Sequence, residues 1–158
     1  MVLLVATDLL DSSTQIQLEW VAEVMKSGPN DLEVIIRPHP ASDFSSKKYL
    51  KWQASVDRTD LSLLLKRIDV IFCSNASSIA MDGYLAGKTI LTMLNGETFN
   101  FSPMRGLNCS INITSPEELR ASLSTSTFNN TNKKNKLFCL SKKLQKWEKL
   151  ISKFSPIF

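Results

Sequence analysis

The chain has 158 residues, 43% hydrophobic and 22% charged, which fits one soluble globular domain and excludes a disordered chain. Nineteen Lys and Arg against fifteen Asp and Glu leave a net charge of +4, unevenly placed: residues 133–153 hold eight lysines and one acid, Glu148, a local +7 that leaves −3 on the remainder. That split argues against a generally basic, nucleic-acid-binding body. No apolar run approaches the roughly 20 residues that span a bilayer. Met1–Leu10 has no basic region, and Asp8 and Asp11 lie close to its apolar run, so it does not read as a signal peptide. Cys73, Cys109 and Cys139 are widely spaced, without a CxxC pair, and read as reduced structural thiols of a cytoplasmic protein.

Val2–Thr7 is a short, continuous apolar run ending in a polar turn, Asp8–Ser13, the pattern of a buried strand. Ser13 or Thr14 then caps a helix to about Lys26, with Ile16, Trp20, Val21 and Val24 on one face, and Gly28–Asn30 stops it. Leu32–Ile36 is a second strand, and the prolines of Arg37–Pro40 prevent a helix there. A weak third strand falls near Trp52–Val56, and Asp60 caps a short helix, Leu61–Arg67. Asp69–Cys73 is the next buried strand, Ser74–Ser78 turns into a helix ended by Gly87, and Thr89–Leu94 is a further strand before the Asn95–Gly96 turn. After the polar and aromatic loop Glu97–Asn108 come a strand, Cys109–Ile113, and a helix to about Ser124. Ser115 caps that helix, Pro116 takes its first position and two acids fill its first turn. Residues 125–135, rich in Ser, Thr and Asn, form a linker. The last helix, about 136–154, places Leu137, Leu140, Leu144, Trp147, Ile151 and Phe154 at spacings of three and four, with lysines opposite. Strands alternating with helices imply an α/β fold, a parallel sheet flanked by helices over residues 1–124. Such sheets bind ligands at the carboxyl ends of their strands, near a switch in strand order. That rule selects Thr7–Ser13, Arg37–Pro40, Ser74–Ser78 and Asn95–Asn100.

His39, the only histidine, is held between Pro38 and Pro40 and stands beside Arg37. Imidazole and guanidinium together suit a phosphate, which Arg can grip with two hydrogen bonds; the alternative is a rigid surface turn. Ser77 and Ser78, with Asn75 before them, start a helix whose free N–H groups and dipole favour an anion, although an ordinary N-cap reads the same way. Asp82, four residues after Ser78, fits either a ribose contact or a solvated helix acid. Gly87-Lys88-Thr89 is not a P-loop, since position 82 is Asp rather than Gly and the glycine follows a helix instead of preceding one. One histidine cannot supply a zinc set, and Cys73 shows no activating partner. His39, if it acts chemically, would polarise or protonate a leaving phosphate.

With these loops placed, the chain resembles the C-terminal, donor-binding half of GT-B-type bacterial surface-carbohydrate transferases: capsule polysaccharide, Kdo and sialic acid transferases and the related polyglycerolphosphate transferases. His39-Pro40 is similar to their HP motif and Ser77-Ser78 to their serine motif, while Asp69–Leu94 (DVIFCSNASSIAMDGYLAGKTILTML) resembles their strand–SS–helix–Gly–strand unit. Thr89 stands where many relatives have proline. The resemblance covers roughly residues 1–124. It implies a Rossmann-like half of a GT-B fold that binds a nucleotide sugar as substrate, CMP-activated donors being favoured, with no other cofactor and no metal. Arg37, His39, Ser77 and Ser78 would hold the phosphate, supported by Thr7 and Asn75. It implies too that the acceptor-binding half, and the general base it carries, come from elsewhere.

Two other functions fit the same fold: a docking module without turnover, and an epimerase-like enzyme acting on a nucleotide sugar, against which the single histidine counts. The lysine-rich helix has three readings: a seam docked on this domain or a partner, attachment to the inner, anionic membrane face, or, ranked last for want of an aromatic platform, nucleic-acid binding.

Overall fold

A computed structural model of the chain describes residues 1–27, 31–42, 44, 54–107, 109–125 and 144–154. Six strands form one sheet: β1 (Val2–Ala6), β2 (Glu33–Arg37), β3 (Ser55–Val56), β4 (Val70–Ser74), β5 (Thr89–Met93) and β6 (Ile111–Ile113). Their order is β3-β2-β1-β4-β5-β6 and every pairing is parallel. The helices are α1 (Asp11–Ser27), α2 (Leu61–Leu64), α3 (Ile79–Leu85), α4 (Pro116–Ser124) and α5 (Gln145–Phe154). The expected parallel α/β sheet flanked by helices is therefore the fold.

The continuous apolar runs form central strands because both faces are covered. Side chains alternate across the sheet. Leu3, Val5, Ile36, Phe72 and Leu91 point to one face, under Leu18, Val21 and Val24 of α1 and Leu119 and Leu123 of α4. Leu4, Ile35, Ile71 and Ile90 point to the other, under Leu64, Ile79, Ala80 and Met104. Two core layers enclose the sheet.

Several boundaries move for identifiable reasons. Helix α1 begins at Asp11, not at Ser13 or Thr14, because Asp8 organises the turn: Leu10 N–H donates to Asp8 Oδ1 at 3.0 Å, and Thr14 N–H already makes the helical bond to Leu10 O. Its buried stripe is Thr14, Gln17, Leu18, Val21 and Val24, which leaves Ile16 and Trp20 half-buried at the margin. Asp60 does cap α2, accepting from Ser62 N at 2.7 Å. Beyond Leu64 the chain continues to Arg67 in tighter three-residue turns, Lys66 N to Leu63 O and Arg67 N to Leu64 O. Gly87 ends the α3 segment with φ of 74°, its N–H bonding Tyr84 O and that of Lys88 bonding Gly83 O, a Schellman closure that favours glycine. Ser115 caps α4 as expected, and Glu118 reaches back to Thr114 N at 2.7 Å. Strands β3 and β6 are shorter than their apolar runs. Trp52, residues 126–135 and residues 136–143, hence Leu137 and Leu140, lie outside the described residues.

In α5, Trp147, Leu150, Ile151 and Phe154 form one exposed stripe, and Lys146, Lys149 and Lys153 fall on the opposite side. Among the described residues, no helix is long and apolar enough to cross a membrane.

Candidate functional site

The strand order reverses between β1 and β4. From β1 the chain passes to α1 on one face, and from β4 to α3 on the other. The two loops part at the carboxyl edge and open a crevice, the usual ligand position in such sheets. A cavity of about 180 Å³ lies there. The β1–α1 turn lines it with Asp8, Leu10 and Ser13, and the β4–α3 turn with Ser74, Asn75 and Ala76. Met93 of β5 and Asn95, Thr98 and Phe101 of the following loop complete the wall.

Beneath the crevice, Gln17 of α1 is fully buried, and its Nε2 donates at 3.1 Å to both Ala6 O and Phe72 O. One amide thus ties the end of β1 to the middle of β4. Its own Oε1 is buried without a hydrogen-bond partner among the described residues. Asn75, also buried, donates from Nδ2 to Thr98 Oγ1 and Phe99 O, both at 3.0 Å. That pair of bonds holds the loop after β5 against the crevice, and Met104, 1% exposed, anchors the same loop further along in the core. Phe99 and Phe101 remain 83% and 67% exposed, in an edge-to-face pair with centroids 6.3 Å apart. Leu9 and Leu10 are exposed on the β1–α1 turn of the same crevice.

The residues singled out from sequence are distributed along this edge. Thr7 is buried at the end of β1, and its Oγ1 accepts from His39 N at 3.2 Å, which joins the β1 and β2 ends. Nδ1 of His39 accepts from Ala41 N at 3.2 Å. The neutral ring therefore carries its proton on Nε2, the donor left for a ligand. Arg37 is half-buried and donates from Nη1 to Thr59 O, which commits part of the guanidinium to the loop after β3. Ser77 is half-buried and Ser78 exposed at the start of α3, where the Ser78 side chain makes no capping bond. Asp82 is exposed on α3. Of these seven residues only Asn75 lines the cavity. Asp8, Ser13, Ser74, Asn95, Thr98 and Phe101 lie within or beside the segments the edge rule selected, but nothing in their local sequence marks them individually.

Cys73 is fully buried, and burial pushes its thiol up to about 12, so it is an inert core group. Burial also raises the thiol of half-buried Cys109; Cys139 lies outside the described residues. No three potential metal ligands converge among the described residues.

The sequence matches no protein-family model and no curated protein. Among solved structures, it is similar to the glycotransferase of kitacinnamycin, with a TM-score of 0.52 and 19% sequence identity. The match covers 76% of this chain and 33% of the other, so the present chain corresponds to about a third of that protein's length. What the two share is the fold, a parallel α/β sheet with flanking helices.

Proposed function

We propose that this chain is the nucleotide-sugar donor-binding domain of a glycosyltransferase of surface-polysaccharide synthesis. The observation that carries this reading is the cavity of mixed polar and apolar lining at the strand-order reversal of a glycosyltransferase-like sheet. Phosphate-suited groups flank it along the edge: the Nε2–H of His39 and the remaining Arg37 N–H groups at the β2 end, and the Ser77 and Ser78 hydroxyls at the start of α3. Exposed Phe99, outside the cavity lining, offers an apolar ring face to a nucleobase. Transfer to an acceptor takes a second domain, from the same polypeptide or another, and exposed Leu9, Leu10, Phe99 and Phe101 suit the apposed surface. The apolar stripe and lysines of α5 suit attachment to an anionic membrane face.

Calorimetric titration with CMP, UDP, GDP and CDP-glycerol tests the reading. Binding of at least one nucleotide is expected, and no heat with any of them overturns it. His39→Ala and Ser77→Ala should each weaken the nucleotide that binds by about 1–3 kcal/mol, the scale of a lost charge-assisted hydrogen bond. Wild-type affinity in both variants would place the phosphate elsewhere.

A further inference from the structure

Resting on the donor-site reading, we infer that the cavity between the β1, β4 and β5 ends receives an uncharged, hydroxyl-bearing glycosyl ring and rejects a sugar that carries a carboxylate. Three observations converge on this. The first is size: about 180 Å³ is below the roughly 300–1,000 Å³ of pockets that enclose a whole drug-sized ligand. It has room for one ring of the donor, with the nucleotide outside.

The second is charge. Among the described residues, Asp8 is the only charged side chain lining the cavity, and none of the lining residues is Lys, Arg or His. Asn95 brings a second carboxylate to the rim, donating from Nδ2 to Glu97 Oε2 at 3.2 Å. The cationic and imidazole groups that suit phosphate belong to the β2 end and are not part of the lining. A carboxylate entering the cavity would meet Asp8 with no cation among the described lining residues to offset it, and like charges brought together at a binding surface strongly disfavour association.

The third is the hydrogen-bonding inventory. Asp8 uses Oδ1 for Leu10 N–H, and its Oδ2 makes no hydrogen bond among the described residues. Asn75 has committed its Nδ2 to the loop, which leaves Oδ1 as its available group. Ser13 and Ser74 hydroxyls make no side-chain hydrogen bond among the described residues. The set is rich in acceptors and in hydroxyls that act either way, the complement of a ligand that offers O–H donors. On the apolar side, Leu10, Met93 and Phe101 suit the C–H face of a pyranose, since an aromatic ring is electron-rich on its face. Sialic acid and Kdo carry a carboxylate on the anomeric carbon, so this inventory points away from the CMP-activated acidic sugars that the family resemblance favours.

The test compares matched donors on the full chain by calorimetry: UDP-glucose against UDP-glucuronate, GDP-mannose against GDP-mannuronate, and CMP-sialic acid against CMP. On whichever of UDP or GDP binds, the neutral sugar nucleotide should bind about tenfold or more tightly than its carboxylated counterpart. Asp8→Asn keeps the Oδ1 acceptor for Leu10 N–H and removes the charge, and it should erase that preference. Equal or tighter binding of the carboxylated donor overturns the inference, as does a preference that survives Asp8→Asn. CMP-sialic acid binding more tightly than CMP, or a bare nucleotide binding as well as its neutral sugar derivative, also overturns it. All of these leave the donor-site reading standing. Failure of every nucleotide and sugar nucleotide to bind overturns both.

Discussion

Gln17 is a polar side chain on a buried helix face that is otherwise apolar except for Thr14, and its two hydrogen bonds join the strands that flank the crevice. Gln17→Leu matches its bulk but withdraws the donor from two buried carbonyls, so a loss of about 1–3 kcal/mol is expected in urea unfolding. A change within a few tenths of a kcal/mol would mean that neighbouring amides satisfy both carbonyls. The helix itself is legible from the spacing of Val21 and Val24, but its rotation is not. Ile16 and Trp20 are more apolar than Thr14 and Gln17, and hydrophobic pattern alone turns them inward. What overrides pattern is the pair of strand carbonyls, Ala6 O and Phe72 O, that only the folded sheet presents. Asn75 poses the same difficulty. Its position in a helix-start motif suggests an anion contact, whereas its amide hydrogens are committed to Thr98 and Phe99.

At the element scale, α3 packs directly on the sheet, and Gly83 permits it. A Cβ there would sit 2.3 Å from Ile71 Cδ1 and 2.7 Å from Ile90 Cδ1, both fully buried. Gly83→Ala gains helix propensity of about 1 kcal/mol yet must displace two core methyls, so a net loss of about 1–2 kcal/mol is expected by chemical denaturation. Unchanged stability would show that the isoleucines reorient freely. The capping of α4 predicts a pH dependence. The N–H and hydroxyl of Thr114 hold the Glu118 carboxyl below its ordinary value, and the Ser115 hydroxyl does the same for Glu117. In the loop after β3, the hydroxyl and N–H of Thr59 lower Asp57, and those of Ser62 lower Asp60. A depressed folded-state value gives stability that is full above the unfolded pKa, near pH 4, and is lost as pH falls through the folded one. The melting temperature should therefore drop below about pH 4.5, and Glu118→Gln should flatten part of that drop; an unshifted profile in the variant would remove Glu118 from the account. Element type is readable for the central strands because buried parallel strands are largely continuous apolar runs. Element ends are not, because Asp8, Leu10 and the turns after Leu64 settle them through backbone hydrogen bonds.

At the scale of the whole molecule, sequence order identifies the sheet edge that carries the cavity and the loops that reach it, since alternating strands and helices imply that edge. It does not identify the cavity wall. Asp8, Ser74 and Asn95 come from three loops far apart in sequence, and only strand order brings them together. The tail belongs to this scale as well. Nothing in α5 is buried, and its lysines oppose an apolar stripe that includes Trp147 and Phe154. The chain is accordingly expected to sediment with vesicles that contain anionic lipid and to stay in solution with neutral ones, and binding that ignores lipid charge would remove the membrane assignment.

The loop clasped by Asn75 differs in kind from the floor it overhangs. The floor is β1 and β4, inner strands paired on both sides, whose amides exchange with deuterium only through large-scale opening of the sheet. The rim, residues 95–101, is exposed along much of its length and is joined to the floor by a single asparagine, so its amides exchange through local release. Occupation of the crevice should then slow exchange along the rim and leave the floor unaltered. The conformational entropy that a ligand must overcome is then that of one short clasped stretch and not that of the sheet.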